Sequence, residues 1–127
     1  MPNATAALPR PDAAAAVLTK ATLRAAGLLG LTNAALARVV GVSESTVSRM
    51  AAGDRLFDTG SKPAELAALL VRVYRSLDAL VGNSDQQRQR WMASFNQAFN
   101  AAPRDAIGTV EGLVRVVRYL DGARALV

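Results

Sequence analysis

The chain contains no cysteine and no histidine among its 127 residues. Without cysteine no disulfide bond can form, and without either residue a thiolate or imidazole metal site is excluded. The same absences exclude a cysteine nucleophile and a histidine general base. The acidic residues are scattered along the sequence. The composition therefore argues against an enzyme, and we expect neither a cofactor nor a metal site.

Aromatic residues are also scarce, at 5% of the chain, and no charge-free apolar run approaches the ~20 residues that span a bilayer. The N-terminal stretch is interrupted by proline and aspartate and lacks the basic leader of a signal peptide. We therefore expect a cytoplasmic protein with no membrane partner. Alanine, leucine, arginine and glutamine are abundant and favour helix, while no long apolar/polar alternation indicates a sheet. These features predict an all-α fold with an aliphatic core.

The charge is unbalanced, at +5 at pH 7, and nearly all of the basic residues are arginine. Such a balance suits a nucleic-acid partner or an acidic protein surface, and it does not decide between them.

The order of helix signals predicts a short arm and two domains. Residues 1–11 contain three prolines and are expected to form a flexible arm. A first domain over 12–62 begins with a helix over 13–29, for which Asp12 is suited as N-cap. A linker rich in turn formers over 54–63, in which Leu56 and Phe57 are expected to pack, leads into a second domain over 63–127.

Residues 33–50 have the spacing of a helix-turn-helix. Ala37 stands where two helices must approach closely, and Gly41 stands where the turn needs a residue that tolerates positive φ. The Val42 side chain is expected to be buried after the turn. Thr32 and Ser43 are expected to be the N-caps of the two helices. The apolar positions that fix both helices on the core are Leu36, Val40, Val47 and Met50.

The outward positions of the second helix of this motif are small and polar, with a single arginine: Ser43, Glu44, Ser45, Thr46, Ser48 and Arg49. Short side chains allow a helix to enter the major groove of double-stranded DNA, and Arg49 has the reach to contact a guanine or a phosphate. We predict that these residues bind DNA. An ordinary αα-hairpin is the alternative, and Glu44, which brings a negative charge to the predicted reading face, leaves it open.

The second domain begins with a strongly amphipathic helix over 64–81, with Pro63 in its first turn and Gly82 at its end. Its predicted buried stripe contains Leu66, Leu69, Leu70, Val73, Leu77, Leu80 and Val81. This stripe suits either a dimer interface or an intramolecular core.

Three further helices are predicted after Gly82. The first covers 85–99 and carries Trp91, Phe95 and Phe99 on one face. The second is short and covers 103–107. The third covers 110–124, is capped by Thr109, and contains Gly112, which we interpret as a close-packing site. The residues of the last helix expected to face inward are Val110, Leu113, Val114, Val117 and Leu120.

Residues 30–55, through the phrase LARVVGVSESTVSRMAAG, resemble the Xre (Cro/repressor-like) helix-turn-helix family. The sequence from Trp91 onward resembles the toxin-binding domain of the MbcA/ParS/Xre antitoxins. The matching residues are Trp91, Asn96, Phe99-Asn100, Pro103-Arg104-Asp105, Ile107, Glu111-Gly112-Leu113, Val117 and Tyr119-Leu120-Asp121-Gly122-Ala123-Arg124.

The second resemblance implies an antitoxin whose partner is a RES-domain toxin, an enzyme that degrades NAD⁺. It also implies that the C-terminal segment covers the entrance to the toxin's active site, and that the complex represses its own operon through the helix-turn-helix. The residues implied to contact the toxin are Arg118, Tyr119, Leu120 and Arg124. The arginines Arg118 and Arg124 are suited to an anion-binding cleft such as one that holds a dinucleotide phosphate.

A homodimer is expected because one recognition helix reads only a half-site. The main alternative is a helix-turn-helix transcriptional repressor with a helical oligomerisation domain and no toxin partner. A third interpretation is a helical adaptor that binds only protein and retains a vestigial motif.

Overall fold

The structure is a computed structural model that describes residues 11–126. The predicted arm lies outside the described residues, except for Pro11, which begins the first helix. Seven helices cover most of the described chain: α1 (Pro11–Leu28), α2 (Asn33–Val40), α3 (Glu44–Ala51), α4 (Lys62–Val81), α5 (Asp85–Ala93), α6 (Pro103–Ala106) and α7 (Val110–Ala125). Over 11–126 there is no strand, and one isolated bridge pairs Asn96 with Ala101. The predicted all-α class is confirmed.

Helix α1 begins at Pro11, two residues earlier than predicted, since the fixed φ of proline suits a first helical position. Asp12 is therefore not the N-cap but a first-turn residue, and its Oδ1 accepts a hydrogen bond from the Ala13 amide at 3.0 Å. Further along α1, the buried Thr19 hydroxyl accepts a hydrogen bond from the Phe57 amide at 2.9 Å. This bond fixes the linker over 54–61 against α1.

Within that linker, Phe57 is buried, at 3% exposed, whereas Leu56 is 39% exposed. The sequence predicted that both side chains would pack, so the prediction was right for Phe57 and wrong for Leu56. Of the two, only Phe57 belongs to the buried apolar core.

Helix α4 is the central element and packs against α1, α2 and α7. Leu70, Val73 and Leu77 are buried as predicted, but Leu80 is 37% exposed. Leu66, Leu69 and Val81 are only half-buried. The helix is rotated so that a neighbouring face, which carries smaller side chains, also packs against the core. That inward face includes Ala64, Ala67, Val71 and Ser76. The amphipathic stripe thus belongs largely to one intramolecular core.

Helix α5 ends at Ala93, so the predicted helix over 85–99 was too long. The chain turns to an extended conformation at Ser94, whose hydroxyl donates to the Arg90 carbonyl at 2.7 Å and closes the helix. Phe99 is buried, whereas Phe95 is 65% exposed. The prediction that Trp91, Phe95 and Phe99 lie on one face of a helix was therefore wrong.

Helix α7 is capped by the Thr109 hydroxyl, which accepts from the Gly112 amide at 3.1 Å. Its fully buried residues include Leu113, Val116 and Leu120, and Val117 is almost fully buried. Val110 is 57% exposed and Val114 is half-buried. The prediction that both face inward was therefore wrong for Val110, because the buried face is centred on Val116.

Gly112 lies where α7 crosses α6. A Cβ atom at this position would stand 1.8 Å from the Ala106 carbonyl oxygen. The close-packing role predicted for Gly112 is therefore confirmed. Within 11–126, no helix is long and apolar enough to cross a membrane.

Candidate nucleic-acid and protein interfaces

The turn between α2 and α3 is built by three local signals in the sequence. The Thr32 hydroxyl caps α2 by accepting from the Ala35 amide at 3.1 Å. Gly41 ends α2 in the left-handed conformation, with φ 75°, and donates to the Ala37 carbonyl at 2.9 Å. The Ser43 hydroxyl then caps α3 by accepting from the Thr46 amide at 3.1 Å. All three predicted roles are confirmed.

Buried side chains fix α3 on the rest of the fold. Val40 and Val47 are 0% exposed, and Leu36, Ala37 and Met50 are buried beside them. Val42 is only half-buried, so the prediction that its side chain is buried was wrong. The orientation of α3 is thus set by the core, which leaves its opposite face for solvent.

The predicted reading face is exposed at five of its six positions: Ser43, Glu44, Ser45, Ser48 and Arg49. Thr46 is buried, at 8% exposed, and its hydroxyl lies 2.8 Å from the Ser43 oxygen. The same hydroxyl accepts from Arg49 Nη2 at 3.4 Å. Thr46 therefore orients its neighbours, and the exposed side chains are the ones that a ligand could reach.

The four residues implied to contact a toxin lie on α7 but do not share one face. Arg118 is exposed, and it lines a shallow groove of about 400 Å³ with Val110 and Val114. Arg124 is exposed near α4, where its Nη1 donates to the Ser76 hydroxyl at 3.2 Å. Leu120 is 0% exposed, so its side chain supports the helix from within the core.

Tyr119 is 44% exposed and belongs to an aromatic cluster. Its ring centroid lies 5.2 Å from that of Phe99 and 6.3 Å from that of Trp91. Trp91 also makes an edge contact with Phe99, at 6.2 Å. The cluster joins α5, the loop over 94–102 and α7, and it presents parts of Trp91 and Tyr119 on the surface.

One structurally important residue was not singled out from the sequence. Arg88 is 3% exposed, and its guanidinium donates to Asp78 at 2.6 Å, to Asp85 at 2.7 Å and to the Leu28 carbonyl at 3.0 Å. It also lies over the ring of Tyr74, at 5.6 Å from the centroid. The i,i+3 spacing of Asp85 and Arg88 was the only local signal, and it is typical of surface pairs.

Two family models match consecutive parts of the chain. Residues 10–72 match the antitoxin Xre-like helix-turn-helix domain. Residues 76–125 match the antitoxin Xre/MbcA/ParS C-terminal toxin-binding domain. No curated protein matches the chain.

Proposed function

Because this chain belongs to the Xre/MbcA/ParS family of antitoxins, with a DNA-binding and a toxin-binding domain, we propose that it neutralises a RES-domain toxin and represses its own operon. Such a toxin degrades NAD⁺, and the C-terminal part of the antitoxin would cover the entrance to its active site. The match of residues 76–125 to the toxin-binding domain is the observation that carries the proposal.

The surface of α7 supports the toxin-binding part of the proposal. Arg118 and Arg124 are exposed cations, and Tyr119 is a partly exposed aromatic residue held by ring contacts. Arginine and tyrosine are enriched among the residues that dominate binding energy in protein interfaces. Arginine also pairs well with phosphate and carboxylate groups, which suits a cleft that receives a dinucleotide.

The geometry of α3 supports the DNA-binding part. The helix is anchored by Val47 and Met50. Its exposed face carries two serines, Glu44 and Arg49, next to the exposed N-cap serine Ser43. We propose that Arg49 contacts a base edge or a phosphate, while the serine hydroxyls and the amides at the start of α3 hold phosphates. Because one such helix covers a half-site, the repressing form is proposed to be a homodimer.

The DNA-binding part is tested with an Arg49→Ala variant and a fragment of the operon's own promoter. We expect operator affinity to fall by about 1–3 kcal/mol, the usual value of one specific arginine contact. Affinity for the toxin should stay unchanged. Unchanged operator affinity would contradict the assignment of α3 as the reading helix.

The toxin-binding part is tested with an Arg118→Glu, Arg124→Glu double variant and an inactivated form of the proposed RES-domain toxin. Point substitutions are preferable to deletion of residues 119–127, because that deletion would remove the buried Leu120 from the core. We expect the variant to bind the toxin at least about tenfold more weakly while it still binds the operator. A lack of binding by the unchanged protein would favour a repressor without a toxin partner.

A further inference from the structure

A groove lies on the toxin-binding domain beside Trp91. It has a volume of about 340 Å³ and is lined by Val81, Gln87, Arg90, Trp91 and Ser94, and the atoms that these residues expose in it are mostly carbon. This volume is at the lower end of the range of about 300–1,000 Å³ that ligand-binding clefts occupy. The groove is therefore large enough to receive one or two side chains of a partner protein.

Phe95 directly follows the groove residue Ser94 and is 65% exposed. The loop that carries it is held by several hydrogen bonds. The Asn96 amide donates to the Ala101 carbonyl at 3.0 Å, and the Asn96 side chain accepts from the Ala98 amide at 3.0 Å. A partner that covers Phe95 would thus meet a loop that is already ordered, which reduces the entropy lost on binding.

This surface is continuous with the proposed toxin contact on α7. The ring of Trp91, which forms one wall of the groove, lies 6.3 Å from the ring of Tyr119. Tryptophan, tyrosine and arginine are the residue types most enriched among the residues that dominate binding energy in interfaces. Trp91, Tyr119 and Arg90 supply one of each here. One partner can therefore cover the groove and the Tyr119 side of α7 together.

The charge at the groove favours a different protein over a second copy of this chain. Arg90 is an exposed cation on α5, and none of the groove residues is acidic. A symmetric contact between two copies, with the groove near the two-fold axis, would bring Arg90 close to its own equivalent. Such a like-charge approach disfavours that partner, whereas an acidic residue on another protein would pair with Arg90.

We propose that this groove, together with the exposed Phe95 of the loop that follows it in the sequence, is a second anchor site for the toxin, and that the groove receives an apolar side chain flanked by an acidic residue. The proposal rests on the function proposed above and adds a contact that is separate from the arginines of α7. Phe95 packs against an apolar part of the toxin surface, and Arg90 forms the ion pair at the rim.

The test measures the affinity of the full chain for an inactivated form of the proposed RES-domain toxin by isothermal titration calorimetry. The variants are Phe95→Ser and Arg90→Glu, with Arg90→Lys as the conservative partner of the second. Val17→Ser is the matched control for Phe95, because Val17 is 70% exposed and lies on α1. Thermal unfolding of each variant shows whether the fold is kept. We expect unchanged stability, because Phe95 and Arg90 are both exposed.

We expect Phe95→Ser and Arg90→Glu to weaken toxin binding by about tenfold or more, and Arg90→Lys and Val17→Ser to leave it within about threefold. If Phe95→Ser and Arg90→Glu bind as tightly as the unchanged protein, the second anchor is refuted while the proposed function stands. If the unchanged protein itself does not bind, the proposed function fails, and the second anchor fails with it.

Discussion

The Nε atom of Arg88 on α5 donates a hydrogen bond to the backbone carbonyl of Leu28 at the end of α1, at 3.0 Å and across 60 residues of sequence. The last carbonyls of a helix have no partner within the helix itself, so this bond and a second one from Gln89 Nε2, at 2.6 Å, cap α1. Leu28 lies in the helix-turn-helix region and Arg88 in the toxin-binding region. The two regions are therefore joined by polar contacts as well as by a shared apolar core.

Replacement of Arg88 by alanine should strongly destabilise the fold. It leaves Asp78 and the Leu28 carbonyl without their charged partner, and the removal of one member of a buried ion pair costs about 3–5 kcal/mol of unfolding free energy. The control is Asp85→Ala, which removes an ion-pair partner that is 73% exposed and should cost at most about 1 kcal/mol. Urea unfolding measures the unfolding free energy of both variants. A similarly small loss in the two would contradict the stabilising role of Arg88.

Two glycines on α7 give a matched pair. Gly112→Ala places a Cβ atom 1.8 Å from the Ala106 carbonyl oxygen, so α6 and α7 must move apart. We expect a loss of roughly 1–3 kcal/mol or more. Gly122→Ala adds a Cβ with no neighbour within 4 Å and should stabilise the helix by about 0.5–1 kcal/mol. Thermal unfolding measures both changes in stability. A change of the same sign in the two variants would contradict this packing.

The turn of the DNA-binding motif should be sensitive to Gly41→Ala. Gly41 has φ 75°, and open space surrounds a Cβ there, so any destabilisation comes from the backbone alone. We expect a loss of about 1–2 kcal/mol of unfolding free energy. Gly27→Ala is the control, because Gly27 lies inside α1 with free space and ordinary helical geometry. An equal effect of the two substitutions in denaturant unfolding would speak against the left-handed turn.

The removal of the negative charge at Glu44 should strengthen DNA binding. Glu44 is exposed in the first turn of α3, where a carboxylate is repelled by DNA phosphates. We expect Glu44→Gln to raise affinity for specific and nonspecific duplexes alike, and Glu65→Gln on α4 to change neither. Fluorescence anisotropy at several salt concentrations measures this. A loss of affinity confined to one operator would show instead that Glu44 accepts a hydrogen bond from a cytosine.

The parts of the fold that were predicted correctly depend on signals between near neighbours in the sequence. Thr32, Gly41 and Ser43 each fix a cap or a turn within four residues, so the boundaries of α2 and α3 follow from them. The end of α5 was missed because Ser94 closes the helix while the Trp91, Phe95 and Phe99 spacing still has a helical period. The burial of Leu120 was predicted from the helical period, whereas the burial of Arg88 depends on contacts with distant elements, which periodicity alone does not determine.

The most direct test of the proposed antitoxin function is the NAD⁺ content of cells that express the RES-domain toxin proposed as the partner, with and without this chain. We expect NAD⁺ to collapse when the toxin is expressed alone. Co-expression of the unchanged chain should keep NAD⁺ at its normal level, and the Arg118→Glu, Arg124→Glu variant should protect poorly despite normal operator binding. NAD⁺ that falls equally with and without the unchanged chain would contradict the proposal that this protein neutralises a RES-domain toxin.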